Sequence, residues 1–144
     1  MKNLVTILAI LGILASCGSS YKSTEPSQTE TDVVDNDTIR IKSDKVEYEI
    51  IIIEPGFNNW MLGRARQRGY YTQSFLESRN RVYVVEWNNR VLDPFRYDPQ
   101  LYEMQINYEH GIDYGYEVNY LLYYYFIYFQ RTYKQRLAGW VPRI

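Results

Sequence analysis

The feature that most constrains this chain is an unbroken run of apolar and aromatic residues at positions 120–129, Tyr-Leu-Leu-Tyr-Tyr-Tyr-Phe-Ile-Tyr-Phe. Hydrophobic periodicity cannot distinguish helix from strand here, because no position in the run is polar. The run is also too short to cross a bilayer, which requires roughly twenty apolar residues. We therefore expect it to form the centre of the core of a folded body.

Two interpretations of this run remain open. The high aromatic content favours a strand. The absence of glycine and proline between residues 116 and 138, together with charged residues suited to helix ends, favours a helix. The charged residues are Asp113, Arg131, Lys134 and Arg136. Taken together, these signals predict a helix near residues 114–137.

The rest of the body, residues 38–144, carries signals for both strands and helices. Alternating apolar and polar positions are typical of half-buried strands. Ser74 and Glu77 have the spacing of a capping box, which begins a helix. We predict a single small α+β domain in which helices pack against an antiparallel sheet. Its predicted strands lie near 38–42, 46–54 and 101–108, and its other predicted helices lie near 57–66 and 74–92.

The composition excludes several classes of site. The chain of 144 residues has one cysteine and one histidine. An internal disulfide, a cysteine-rich zinc site and a site needing several histidines are therefore excluded. The formal net charge is −1, whereas a nucleic-acid-binding domain is usually strongly basic. We expect no nucleic-acid partner, no metal and no cofactor.

The first residues have the pattern of a secretory signal peptide. A short head with one positive charge is followed by an apolar stretch and by small residues. The segment Leu14-Ala15-Ser16-Cys17 resembles the lipobox of bacterial lipoproteins. This resemblance implies that residues 1–16 are a signal peptide cleaved between Ser16 and Cys17, and that Cys17 is lipidated on its thiol and acylated on its new amine.

The lipoprotein resemblance also implies a location. Acyl chains on Cys17 would anchor the protein in a lipid bilayer, since two or more chains give stable anchoring. Gly18 follows the cysteine, and lipoproteins retained at an inner membrane often have aspartate there. We expect the periplasmic face of an outer membrane. Residues 17–37 are small, polar and acidic, so we predict a lipidated disordered tether.

The body also resembles an uncharacterised family of small envelope lipoproteins. That resemblance implies no activity and no catalytic residues. The segments that carry it are Glu54-Pro55-Gly56-Phe57-Asn58-Asn59-Trp60, Val85-Glu86-Trp87-Asn88 and Asp113-Tyr114-Gly115-Tyr116-Glu117.

The candidate binding surface consists of aromatic and basic residues predicted to lie in or near loops. Tyrosine offers a flat apolar face with a polar tip, and arginine suits carboxylates and phosphates. Most tyrosines of the last predicted helix are instead expected to fill the core. The candidate surface residues are Trp60, Arg64, Arg66, Arg68, Tyr70, Tyr71 and Tyr97.

These features favour a membrane-anchored envelope lipoprotein whose body is a non-enzymatic binding or accessory protein. Its partner would be an envelope protein or a cell-wall glycan. The alternative is an envelope enzyme that acts on glycan or peptide through carboxylates such as Glu54, Glu86 or Asp113. His110 lies between two acidic residues, but no recognised nucleophile or metal motif accompanies it.

Overall fold

A computed structural model describes residues 31–35, 38–43 and 48–144, with side chains from residue 54 onward. The predicted signal peptide, residues 1–16, and the predicted lipidation site Cys17 lie outside the described residues. Of the predicted tether, residues 17–37, the structure describes only Thr31–Asp35, which form a strand.

Three short strands precede the helical part of the chain. They are β1 (Thr31–Asp35), β2 (Thr38–Ser43) and β3 (Tyr48–Ile53). Each strand pairs antiparallel with the next along the chain, in the order β1-β2-β3. Ile41 lies opposite Ile50 in the second pair, and the register of the first pair is irregular before Asp35.

The predicted α+β domain is wrong for the part of the chain that forms the described core. Within residues 54–144 the chain forms helices joined by irregular segments, and no strand is present. The helices are α1 (Phe57–Arg64), α2 (Gln73–Val91) and α3 (Tyr116–Thr132). They pack on one another, so the core described here is formed by helices and their connecting segments.

The predicted strand at residues 101–108 does not form. The side chains of α2 take the hydrogen bonds that a neighbouring strand would supply. Asn88 donates to the carbonyl of Ile106 (2.9 Å) and accepts from its amide (2.8 Å), and the Trp87 indole donates to the carbonyl of Met104 (2.9 Å). The segment is therefore held along a helix instead of at a sheet edge.

Helix α3 lies at the centre of the core. Nearly all its side chains between Val118 and Gln130 are buried, on every face of the helix. A helix that is apolar on all sides must be enclosed on all sides. The apolar run at residues 120–129, which hydrophobic periodicity could not assign, lies within this helix, and its tyrosines are part of the core. No helix in the described part of the chain combines the length and apolarity needed to cross a membrane.

The other two helices each present one face to α3. Helix α2 contributes Leu76, Tyr83 and Trp87, and α1 contributes Phe57 with the half-buried Trp60. Ring contacts dominate the junctions, for example Trp87 with Phe129 at 4.8 Å between ring centroids.

The ends of the two long helices differ from the sequence predictions. Helix α2 is capped by Thr72, whose hydroxyl accepts from the amide of Phe75 (3.3 Å), and not by Ser74. Helix α3 stops at Thr132 instead of continuing to residue 137. Lys134 adopts a left-handed conformation (φ 53°), and the amide of Gln135 donates to the carbonyl of Gln130 (2.9 Å). This is the Schellman arrangement, with lysine in the position that glycine usually occupies.

Candidate functional site

The loop between α1 and α2 carries most of the predicted binding residues. We call residues 64–70 the arginine loop, because Arg64, Arg66 and Arg68 are all exposed there. After Arg64, the last residue of α1, the loop has no helix or strand of its own, so other parts of the molecule must satisfy and position its backbone.

A ladder of tyrosine hydroxyls on α3 holds this loop in place. The amide of Arg66 donates to the hydroxyl of Tyr124 (2.9 Å), and the hydroxyl of Tyr120 donates to the carbonyl of the same arginine (2.6 Å). The amide of Gly69 donates to the hydroxyl of Tyr116 (2.7 Å). These tyrosines recur every four residues, which places them along one side of a helix. The loop backbone is therefore fixed to the most buried element of the fold.

Tyr128 extends the same ladder by one further step. Its hydroxyl donates to the carbonyl of Pro55 (2.6 Å), just before α1. The ladder thus fixes the segments on both sides of α1. The four-residue spacing of these tyrosines is visible in the sequence, and it is the signal that could have identified the loop as ordered.

The arginine side chains of the loop are arranged over aromatic rings. The Arg66 guanidinium lies 5.4 Å from the ring centroid of Tyr70, which is 64% exposed. The Arg68 guanidinium lies 4.7 Å from the ring centroid of Tyr120. Arg64 occupies the exposed last turn of α1. Stacked guanidinium groups retain their in-plane donors, so they can still bind an anion.

One of the three arginines is already paired within the molecule. Arg68 binds both carboxylate oxygens of Glu117 through its Nε atom (2.8 Å each), and its Nη2 atom also contacts that carboxylate. This hydrogen bonding raises the pKa of Arg68 above its ordinary value. Within residues 54–144 no ion pair involves Arg64 or Arg66. These two arginines therefore carry the uncompensated charge of the loop.

Three of the predicted surface residues serve mainly in packing. Trp60 is half-buried against Tyr124 and Tyr128. Tyr71 stacks on Phe75, with 4.7 Å between ring centroids. Tyr97 lies after α2, away from the arginine loop, and its ring contacts Tyr102 and Arg90. From the predicted set, the structure brings Arg66 over the ring of Tyr70, which also meets the ring of Tyr71 edge-on at 4.7 Å between centroids.

A polar pocket of about 310 Å³ lies beside the start of α2. Asp113 accepts from the amide group of Gln73 (2.7 Å), which also donates to Glu77 (2.8 Å). His110 lies close by, with its Nδ1 atom 2.9 Å from the Arg81 guanidinium. The side chains that line the pocket include Gln73, Glu77, Arg81, Tyr108, Glu109 and Asp113.

The three carboxylates of the enzyme hypothesis are far apart. Glu54 accepts from the hydroxyl of Tyr133 (2.7 Å), beyond the end of α3, whereas Asp113 precedes the start of that helix. A helix of this length separates them by about 25 Å at 1.5 Å per residue. Gln73, which donates to Asp113, begins α2. Glu86 lies thirteen residues further along the same helix, or about 20 Å from Gln73. Asp113 is therefore not paired with Glu54 or with Glu86.

A buried arginine joins α2 to the C-terminal segment. The guanidinium of Arg90 donates to Glu86 (2.8 Å) and to the hydroxyl of Tyr102 (2.7 Å), and it also contacts the carbonyl of Arg136. Although burial opposes its charge, the hydrogen bonds that it donates to Glu86 and Tyr102 raise the pKa of Arg90 overall. Every strong donor is used internally, so Arg90 is a structural residue.

The side chains in residues 54–144 include no group of three or more that could hold a metal ion. The arginine loop is an exposed arrangement whose backbone is hydrogen-bonded to α3.

Comparison with known proteins gives one match. No curated protein and no solved structure matches the chain. The model of a family described as a family of unknown function (DUF6146) matches residues 5–141. The expectation of membership in an uncharacterised family is thereby confirmed. Because the match covers nearly the whole sequence, the chain belongs to DUF6146, a family of unknown function.

Proposed function

We propose that this protein is a lipid-anchored, non-enzymatic binding protein of the bacterial cell envelope. The lipobox-like segment that ends in Cys17 supports the anchor, because the only cysteine of the chain stands where lipidation requires it. The proposed location is the periplasmic face of an outer membrane, with the helical body held beyond the membrane surface.

The observation that carries the binding role is the rigid backbone of the arginine loop. A surface that is ordered before binding loses less conformational entropy when its ligand arrives. Here the Tyr116, Tyr120 and Tyr124 hydroxyls fix the backbone, and the side chains of Arg64 and Arg66 remain exposed.

The chemistry of the loop favours a cell-wall glycan that bears carboxylates. Planar guanidinium groups bind carboxylates through paired hydrogen bonds. The exposed ring of Tyr70 offers an apolar face on which a sugar ring can stack. Because the two unpaired arginines are exposed, we expect binding to weaken as salt concentration rises.

Co-sedimentation of the protein with purified cell-wall sacculi tests this proposal. The test variant carries Arg64→Gln with Arg66→Gln and leaves the Arg68 ion pair intact. The matched control carries Arg96→Gln with Arg143→Gln, which removes the same charge from exposed positions elsewhere. We expect the test variant to lose most of its binding and the control to retain it.

Three outcomes would contradict the proposed binding role. Equal losses in the two variants would show that only net charge matters. Binding of the loop to anionic lipid vesicles, with no binding to sacculi, would assign the arginines to a lipid headgroup instead. Full binding by the Arg64→Gln, Arg66→Gln variant would remove the loop from the binding surface.

Detergent phase partitioning tests the anchor independently. The protein with its natural sequence should enter the detergent phase when expressed in a bacterium that processes lipoproteins, because the acyl chains attached to Cys17 dominate its partitioning. The Cys17→Ser variant should move to the aqueous phase. Ser16→Ala keeps a small residue before the cysteine and should still partition into detergent. Unchanged partitioning of Cys17→Ser would refute the anchor.

A further inference from the structure

Helix α2 has a second apolar stripe on the side that faces away from the core. Its buried side chains, such as Leu76, Tyr83 and Trp87, face α3. Val82, Val85 and Leu92 lie on the opposite side, and Phe75 lies at the edge of the stripe, where its ring also stacks on Tyr71; these four side chains are between 40% and 69% exposed.

The spacing of this outer stripe is that of a heptad repeat. Phe75, Val82 and Asn89 are seven residues apart, and Ser78, Val85 and Leu92 follow each of them by three. These are the a and d positions through which helices pair in a coiled coil. All six positions are exposed, although the ring of Phe75 is also packed on Tyr71 and Tyr123 of its own chain.

Two features of the repeat indicate that the partner is identical and parallel. Asparagine at an a position sets register and strand number, because it pairs best with asparagine on the facing helix. Asn89 occupies such a position. A narrow stripe with valine at one a position and leucine at one d position is also typical of two-stranded pairing.

The flanking charges are complementary in the same arrangement. Arg81 occupies the g position and Glu86 the following e position. In a parallel pair, the g residue of one helix faces the next e residue of the other. Two copies of α2 would therefore bring Arg81 of each copy to Glu86 of the other. Both side chains are partly exposed, although each also has partners within its own chain: Glu86 accepts from Arg90, and the Arg81 guanidinium contacts His110 and donates to Ser78.

The surface beside the stripe has room for the side chains of a second helix. A shallow apolar groove of about 400 Å³ is lined by Val82, Val85 and Leu137, with Arg81 and Glu86 at its margin. The d-position side chain Val85 thus lies beside a recess on its own molecule. Such recesses accept the protruding side chains of a facing helix.

We propose that the protein forms a parallel homodimer through the outer stripe of α2, with Phe75, Ser78, Val82, Val85, Asn89 and Leu92 at the interface. The occupant of the stripe is a second copy of this chain, in register. This inference does not depend on the proposed ligand of the arginine loop.

Disulfide crosslinking of the full chain tests the arrangement. Cys17→Ser is included in every variant, so that no other thiol is present. Ser78→Cys and Leu92→Cys are compared separately under mild oxidation. The control is Leu62→Cys, which lies on α1 and is 89% exposed. In a parallel dimer each stripe cysteine faces its own copy, so both should crosslink severalfold more than the control.

Mixtures of the same variants distinguish other arrangements. Crosslinking only between Ser78→Cys and Leu92→Cys chains, and not within either, would show an antiparallel pair and contradict the proposal. Crosslinking no greater than that of Leu62→Cys would show that the stripe is covered by something other than a second copy, or by nothing.

Charge reversal provides a second test, in which recovery in the mixture separates a lost contact from a loss of folding. In the Ser78→Cys background, Arg81→Glu alone and Glu86→Arg alone should each reduce crosslinking severalfold, because like charges then face each other. An equimolar mixture of the two should restore it, since every facing pair is again opposite in charge. Failure of the mixture to recover, with both variants folded by circular dichroism, would overturn the proposed register.

Discussion

At the scale of single residues, the tyrosines of α3 form hydrogen bonds that phenylalanine could not form. Their rings fill the core, and their hydroxyls reach the edge of the core and bind backbone groups of the α1 region. Buried backbone groups must find partners. A ring with a terminal hydroxyl can supply both the apolar volume and the partner.

Replacement of Tyr124 by phenylalanine tests the ladder at one position. Tyr124→Phe keeps the ring but leaves the amide of Arg66 without its partner, so we expect a loss of about 1 kcal/mol in the free energy of unfolding. Urea denaturation measures this change. Tyr70→Phe removes a hydroxyl from an exposed ring and should leave the stability unchanged. Equal effects of the two substitutions would argue against the ladder.

Arg90 gives a larger effect at the same scale. Arg90→Met leaves Glu86 and the Tyr102 hydroxyl without the guanidinium, and we expect a loss of about 3 kcal/mol in unfolding free energy. Arg90→Lys keeps the charge but loses the planar fork, so it should recover only part of that loss. Thermal denaturation of both variants beside Arg96→Met, an exposed control, measures the difference. A fully stable Arg90→Lys protein would show that charge alone suffices.

At the scale of the elements, the lysine at the end of α3 occupies a conformation that suits glycine. Lys134 has a positive φ, which costs an L-residue roughly 1 kcal/mol. Lys134→Gly should therefore stabilise the protein by about 0.5–1 kcal/mol, even though glycine also gains freedom in the unfolded chain. Lys134→Ala removes the same side chain while keeping the strain, and should give no such gain. Chemical denaturation of both variants separates the two effects.

Segment 101–108 shows why element type could not always be predicted. Its alternating pattern describes the burial only in part, since Tyr102 is buried and Glu103 and Gln105 are exposed, but Met104 between them is 76% exposed. Alternation indicates which side chains could face inward, but it does not predict which groups form hydrogen bonds with the backbone amides and carbonyls. Here the side-chain amide of Asn88 forms the two hydrogen bonds with the backbone of Ile106 that a neighbouring strand would otherwise form. That contact spans 18 residues, and no local pattern contains it.

At the scale of the whole molecule, the sequence identified the central element but not the architecture around it. The length of the run at 120–129 and the charges near its ends correctly favoured a helix. The α+β prediction failed because it assumed that a sheet would cover that helix, whereas α1, α2 and the segment near Tyr102 cover it within residues 54–144. Which elements meet is decided by three-dimensional packing, which hydrophobic periodicity does not contain.

The candidate site was predictable to a similar extent. The cluster of arginines with Tyr70 is visible in the sequence and is exposed in the structure. The pairing of Arg68 with Glu117 across 49 residues is not visible in the sequence. Nor could the sequence show that Trp60 and Tyr97 are occupied in packing, because an aromatic residue in a loop or short helix suits either role.

The tyrosine-rich core makes the free energy of unfolding sensitive to pH in the alkaline range. Burial raises the pKa of Tyr124 to about 12, and the hydrogen bond to Glu54 raises the pKa of Tyr133 to about 12. Burial also raises the pKa of Tyr108, Tyr120 and Tyr123.

In the unfolded chain these phenols ionise near pH 10. Between about pH 10 and pH 12 the unfolded state therefore binds fewer protons than the folded state, and the free energy of unfolding falls as pH rises. We expect urea midpoints to be unaffected by these groups below pH 10 and to decline steeply above it. Ultraviolet absorbance of tyrosinate should rise later in the native protein than in the same protein in concentrated urea. Coincident titration curves in the two states would show that the hydroxyls are not held as the structure places them.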